Sequence, residues 1–108
     1  MNVKPTEKIK KRYIALRLES EKEIPANLVE YNIYKSILEF LGEYGYSLAN
    51  PKLIKYNKSI GIIRCNVNEV EKVKAALVLT SQINNIRVSI HTLGVSGTLN
   101  KLRTKKKI

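Results

Sequence analysis

Aspartate is absent from this chain, and all nine acidic residues are glutamates. Nucleases that cut with protein-bound metal hold their ions in grouped carboxylates. Eight of these glutamates fall in a turn (Glu19, Glu21, Glu23), along a helix (Glu30, Glu39, Glu43) and at a helix start, where Glu69 and Glu71 suit the helix dipole. That scatter argues against a two-metal site on the protein, and no cofactor is expected on the chain. Cysteine occurs once, at Cys65, which excludes an intrachain disulfide. Histidine also occurs once, at His91, so the several ligands of a zinc site are missing. No apolar run approaches the ~20 residues of a membrane span. The opening "MNVKPTEKIKKRY" lacks the apolar stretch of a secretory signal, and neither terminus has an apolar face to insert into a membrane. The expectation is a soluble, cytoplasmic chain with no membrane partner.

What is abundant is positive charge. Twenty Lys and Arg against nine acids give a formal net charge of +11 and a pI near 9.9. Such an excess repels itself, and nucleic acid is the commonest polyanion to offset it. A merely soluble, lysine-rich surface is the plainer reading. At 108 residues and 44% hydrophobic composition, the chain suits one domain, 1–108, with a modest core.

Residues 1–11 are polar and basic and read as a flexible arm. "RYIALRLES" alternates with period two: Ile14, Leu16 and Leu18 point one way, Tyr13, Ala15 and Arg17 the other. "IPANLVEYNIYKSILEFLGEYG" reads as a helix opened by Pro25 and closed by Gly45. Val29, Ile33, Ile37, Leu41 and Tyr44 share one side with Phe40 beside them, and Leu28 and Leu38 broaden the stripe. Gly42 weakens the last turn by ~1 kcal/mol relative to Ala unless close packing requires it. "PKLIKYNKSIGIIRCNV" reads as two strands turning at residues 57–59, with Ile54, Tyr56, Ile63, Cys65 and Val67 inward and Ile62 and Arg64 outward. The opposite register would bury Arg64 unpaired. "NEVEKVKAALVLTSQIN" reads as a helix capped by Asn68 with Glu71 three residues on, burying Val70, Val73, Ala76 and Leu77. "IRVSIHTL" alternates again, with Val88, Ile90 and Thr92 in and Arg87, Ser89, His91 and Leu93 out.

The order β-α-β-β-α-β predicts an α+β, ferredoxin-like (RRM-like) α/β sandwich, an antiparallel four-stranded sheet with both helices on one face. The other face is expected to be bare and to carry Tyr13, Arg17, Ile62, Arg64, Arg87 and His91, three of the chain's five arginines among them. Those arginines suit phosphates or a partner's carboxylates, although one sheet face is often simply wet. Cys65 reads as a small core residue, on the opposite face from His91, which separates any Cys–His nucleophile pair.

Two functions hosted by this fold are tested by sequence. Acylphosphatases carry a glycine-rich phosphate loop after the first strand. Here that place holds "ESEKEIPAN", acidic and without glycine. RNA-recognition motifs stack bases on aromatics of the two central strands. Tyr13 is available, but "GIIRCNV" supplies no aromatic. The closing "LGVSGTLNKLRTKKKI" admits two readings. Gly94 and Gly97 with Ser96 and Thr98 suit an anion-binding nest, leading to a basic tail over 98–108, in which Lys101, Arg103, Lys105, Lys106 and Lys107 meet phosphates without sequence preference. A glycine turn and a plain solvated tail is the alternative.

Four segments, "KKRYIAL", "ILEFLGEYG", "IIRCN" and "TLGVSGTLNKL", in this order from about Lys11 to Leu102, resemble the archaeal ribonuclease P protein component 2 family. The resemblance implies an RRM-like sandwich acting as a non-catalytic subunit of ribonuclease P, the ribonucleoprotein that removes the 5′ leader from precursor tRNA. It implies an RNA that carries the active site and its magnesium. It implies a barrel-shaped protein partner, component 3, in a two-plus-two heterotetramer, with precursor tRNA met indirectly. The candidates for RNA or partner contact are Lys10, Lys11, Arg12, Tyr13, Arg17, Arg64, Arg87, Ser96 and the five basic tail residues. Leu28, Leu38 and Phe40 are candidates for a protein interface. A stand-alone RNA-binding, ribosome-associated module and a ligand-regulated ferredoxin-like domain are the competing readings.

Overall fold

The structure, a computed structural model, describes residues 10–99. Strand β1 (Lys11–Ser20) leads into helix α1 (Ala26–Ala49), the hairpin β2 (Lys52–Asn57) and β3 (Ile60–Asn66), a single 3₁₀ turn (Val67–Glu69), helix α2 (Val70–Leu79), and the hairpin β4 (Gln82–Ile83) and β5 (Ile86–Ser96). The strands form one antiparallel sheet in the order β2-β3-β1-β5-β4. Its four long strands have the expected ferredoxin-like order; the short β4 makes five.

The core lies between the sheet and the two helices. Ile14, Leu16 and Leu18 of β1, Ile63 and Cys65 of β3, and Val88 and Ile90 of β5 meet Val29, Ile33 and Ile37 of α1 and Val70, Val73, Ala76 and Leu77 of α2. The period-two and period-3.6 patterns predict these positions, because burying one strand face and one helix stripe removes the most apolar surface from water. Tyr34 ties α1 to β2, its hydroxyl accepting a 2.7 Å hydrogen bond from the Leu53 amide.

Several expectations need correction. The first helix does not stop at Gly45. It breaks at Gly42, whose φ of 76° and ψ of 171° are not helical, resumes, and runs to Ala49, where Asn50 in the left-handed region caps it by donating to the Tyr46 carbonyl. A Cβ at Gly42 would meet nothing within 4 Å, so the glycine serves backbone conformation and not close packing. Beyond the break the helical phase shifts, and Tyr44 stands exposed rather than in the core. The second helix has no Asn68 cap. Asn66 precedes the 3₁₀ turn, and α2 starts at Val70 without a side-chain cap bond. Its end is Leu79, since Thr80 turns the chain and returns its hydroxyl to the Ala76 carbonyl.

The fifth strand was hidden in "SQIN". Gln82 and Ile83 pair with Arg87 and Ile86 across a tight turn in which Asn84 and Asn85 both have positive φ. Lys58 and Ser59 do the same between β2 and β3, a primed turn built without glycine. Ile54 faces away from the main core, because a bulge between Leu53 and Lys55 interrupts the alternation and leaves Leu53 and Tyr56 on the core side. Val67 and Thr92 are half-buried, the first because it has left the strand for the 3₁₀ turn.

Candidate nucleic-acid interface

The sheet face turned away from the helices is laid out by strand register. From β3 across β1 to β5, Arg64, Tyr13 and Ser96 form one row; Ile62, Ala15 and Gly94 the next; Ile60, Arg17 and His91 a third; and Glu19 pairs with Ser89 beyond. Arg64 and Arg17 are thus four residues apart along the strand, about 13 Å at the usual rise. Arg87 lies beyond the pairing of Ser20 with Val88, farther still. The arginines expected to concentrate on this face are strung along it.

The face is not bare. Ala15 and Ile62 are fully buried under Tyr13, Ile54, Leu93 and Leu99. A bulge places both Leu93 and Gly94 opposite the Ala15 region, and the segment after β5 brings Leu99 back over it. This second apolar cluster occupies the middle of the sheet, where an RNA-recognition motif would stack bases, and Tyr13 is half-buried in it.

At one end of the face the arginine is engaged. Arg17 donates from Nη2 to Oε1 of Glu19 at 2.8 Å, and His91 Nε2 lies 3.3 Å from the same oxygen and 3.3 Å from Ser89 Oγ. Glu19 is therefore on β1, not in the turn where the sequence reading put it. The group is half-exposed, and such an ion pair contributes under about 1 kcal/mol to stability. Arg87 lines hollows with Glu19 and Glu21.

At the other end the cations are not ion-paired among the described residues. Lys11 begins β1 instead of ending an arm, and its Nζ donates to Asn66 Oδ1 at 2.5 Å. Asn66, 6% exposed, donates in turn from Nδ2 to the Leu48 carbonyl at 2.6 Å. Arg12 donates to the Lys11 carbonyl, and its guanidinium lies over Gly97, where a Cβ would meet Nη1 at 3.5 Å. Lys52 pairs across the hairpin with Arg64. Lys10 is exposed, and its carbonyl accepts from the Val67 amide. Among the described residues no ion pair engages Lys10, Lys11, Arg12, Lys52 or Arg64. Lys52 was not singled out in the sequence; its pairing opposite Arg64 was the missing signal.

Of the two readings of the glycine–serine–glycine stretch, the anion-binding nest lacks its backbone geometry. Gly94 belongs to β5, neither Gly94 nor Gly97 has a positive φ, and the Thr98 amide donates to Ser96 Oγ. Lys101, Arg103, Lys105, Lys106 and Lys107 lie outside the described residues. On the helical side, Leu38 and Phe40 are exposed, and Phe40 shares a shallow groove with Ala76 and Leu79 of α2. Leu28 packs against the core.

Cys65 is fully buried in the main core, across the sheet from His91. Burial pushes its thiol up to about 11; the Glu69 carboxylate adds to this, and Lys11 opposes it. Among the described residues no group of three or more His, Cys, Asp or Glu side chains is placed to hold a metal ion. No helix among them is long and apolar enough to cross a membrane.

Sheet order, helix placement and a basic sheet edge define a small RRM-like α/β sandwich. The family model described as the Rpp14/Pop5 family matches residues 12–107, and the chain belongs to that family. It is 44% identical over 103 residues to ribonuclease P protein component 2 of Pyrococcus horikoshii, covering 94% of this chain and 86% of the relative. It is 42% identical over 101 residues to ribonuclease P protein component 2 of Methanocaldococcus jannaschii, covering 94% and 75%. Among solved structures, a chain in the cryo-EM structure of yeast ribonuclease MRP superposes with a TM-score of 0.69, covering 94% of this chain and 95% of that one at 10% identity, a likeness of fold.

Proposed function

We propose that this chain is the component 2 subunit of an archaeal ribonuclease P, and that it supports a catalytic RNA without contributing a catalytic group. The observation that carries this reading is the 44% identity to a ribonuclease P protein component 2 over nearly the whole of both chains. A module built this way assists a ribozyme through electrostatics. Packing RNA helices concentrates phosphates, which repel. Fixed Lys and Arg side chains offset that repulsion and release counterions, so the RNA fold that holds magnesium and precursor tRNA is more populated.

The protein partner in this reading is the barrel-shaped component 3, in a two-plus-two assembly. The exposed Leu38 and Phe40 are the candidates to meet it, because they offer apolar surface away from the basic edge. Reconstitution tests the role. Adding this chain with component 3 to the ribonuclease P RNA lowers the magnesium concentration needed for half-maximal cleavage of precursor tRNA. An unchanged magnesium profile, or cleavage by the RNA-free protein, sinks the reading. Affinity capture from native extract separates it from a stand-alone RNA-binding module, which would bring down neither component 3 nor a ribonuclease P RNA.

A further inference from the structure

We infer that RNA phosphate is taken at one end of the sheet only, the edge made by Lys10, Lys11, Arg12, Lys52 and Arg64, and that Glu19 closes the opposite end, around Arg17 and Arg87, to phosphate. The inference deepens the ribonuclease P reading and rests on it for the identity of the RNA.

Topology gathers the edge. The start of β1, the start of β2, the end of β3 and the end of β5 meet there, since Lys11 pairs with Asn66, Lys52 with Arg64 and Tyr13 with Ser96. The chain also enters the described residues at this edge, at Lys10, whereas it leaves them at Leu99, over the middle of the sheet. The acids at the nearby start of α2 face their own helix: the buried Glu69 Oε1 makes no hydrogen bond but lies 3.4 Å from Lys72 Nζ, and Glu71 lies 3.6 Å from Lys74. Two of the edge cations are also held in place, Lys11 by the Asn66 amide and Arg12 by its carbonyl bond above Gly97. Groups fixed beforehand lose less freedom when a phosphate arrives.

The opposite end has the reverse character. A phosphate approaching Arg17 meets a carboxylate oxygen already 2.8 Å from the guanidinium, with His91 on the same oxygen. It must displace Glu19 or bear its repulsion. Around Arg87 stand Glu19 and Glu21. Between the two ends lies the apolar cluster over Ala15 and Ile62, where the half-buried Tyr13 hydroxyl is the one side-chain donor among the described residues and no cation stands. One acidic side chain thus decides which of the sheet arginines RNA reaches.

The test is equilibrium binding of the full chain to two labelled RNAs of equal length, a transcribed archaeal ribonuclease P RNA and an unrelated structured RNA, over a range of KCl. Replacing Arg12 and Arg64 with Gln weakens binding about tenfold and flattens the log Kd against log salt slope by about 2. Arg17→Gln with Arg87→Gln changes Kd less than about twofold, since Arg17 is already paired with Glu19, and Arg87, though in no ion pair among the described residues, lies where Glu19 and Glu21 repel an arriving phosphate. Glu19→Gln tightens binding and steepens the slope, and adding Arg17→Gln removes that gain. Glu39→Gln, the same charge change on α1, is the control for net charge. Should the Arg12/Arg64 pair fail to fold by circular dichroism, Lys10→Gln with Lys52→Gln serves the same comparison. Losses at Arg17 and Arg87 equal to those at the edge overturn the inference, as does a Glu19→Gln chain that binds like Glu39→Gln. If the wild type binds both RNAs equally while the edge variant is still weakened, the edge stands and the subunit reading falls.

Discussion

Asn66 uses both ends of its amide, accepting from Lys11 and donating to the Leu48 carbonyl from a nearly buried position. Replacing it with Ala leaves that carbonyl without its donor and frees Lys11, and a melt should show a loss of about 1–3 kcal/mol. Cys65 beside it offers a pH test. Its thiol is raised from 9.0 to about 11, so the folded chain favours the neutral form more strongly than the unfolded chain does. That contribution is complete below the unfolded value and is lost as pH rises through the folded one, so the window is pH 9 to about 11. Tyr46 and Tyr56, also raised by burial, act in the same direction. Against wild type, Cys65→Ala should show a flatter decline of melting temperature across that window, and native Cys65 should resist alkylation at neutral pH. At this scale sequence reading placed Cys65 correctly, since alternation with Ile63 fixes its face. It missed the role of Asn66, because both of its partners are distant in the chain.

Helix α1 shows what element-level reasoning misses. Helix propensity says that Gly42→Ala should stabilise an unbroken helix by about 1 kcal/mol. The observed φ of 76° and ψ of 171° lie in a region essentially reserved for glycine. The substitution is therefore expected to destabilise by about 1–3 kcal/mol, and the sign of the change in a urea melt decides between a continuous and a broken helix. The two hairpins give a second test. Lys58 and Ser59 hold positive φ that Asn and Gly adopt more easily. The double substitution Lys58→Asn, Ser59→Gly should raise stability by about 1 kcal/mol with the register unchanged. Turn position was readable here from the break in alternation. The bulges at Ile54 and Leu93 were not, since a bulge depends on how the neighbouring strand pairs.

Across the whole molecule, the net charge of +11 is less informative than its placement. One end of the sheet gathers Lys10, Lys11, Arg12, Lys52 and Arg64, which form no ion pair among the described residues, whereas the other holds Glu19, Glu21 and Glu23 near Lys22, Arg17 and Arg87. Between Glu21, Glu23, Lys22 and Lys58 lies a hollow of about 620 Å³ whose rim mixes the two signs. The edge also predicts that salt and assembly are linked. The magnesium benefit of adding this chain to the ribonuclease P RNA should shrink as KCl rises, and shrink faster for wild type than for Arg12→Gln/Arg64→Gln, because counterion release drives it.

The order of the long elements, the core faces of β1, β3 and β5 and the buried stripes of both helices up to the break at Gly42 followed from the sequence alone, because burial of apolar surface imposes periods of two and 3.6 on any chain that folds this way. The basic balance pointed to a polyanion for the same elementary reason, like charges needing an opposite partner. Tertiary structure alone decided that the outer face carries a second apolar cluster and that Lys52 joins Arg64 and the start of β1. Both are meetings of residues far apart in the chain or across a bulge, set by strand register and packing, whereas Arg17 and Glu19 sit two residues apart and meet because β1 runs on to Ser20 and keeps both on one face.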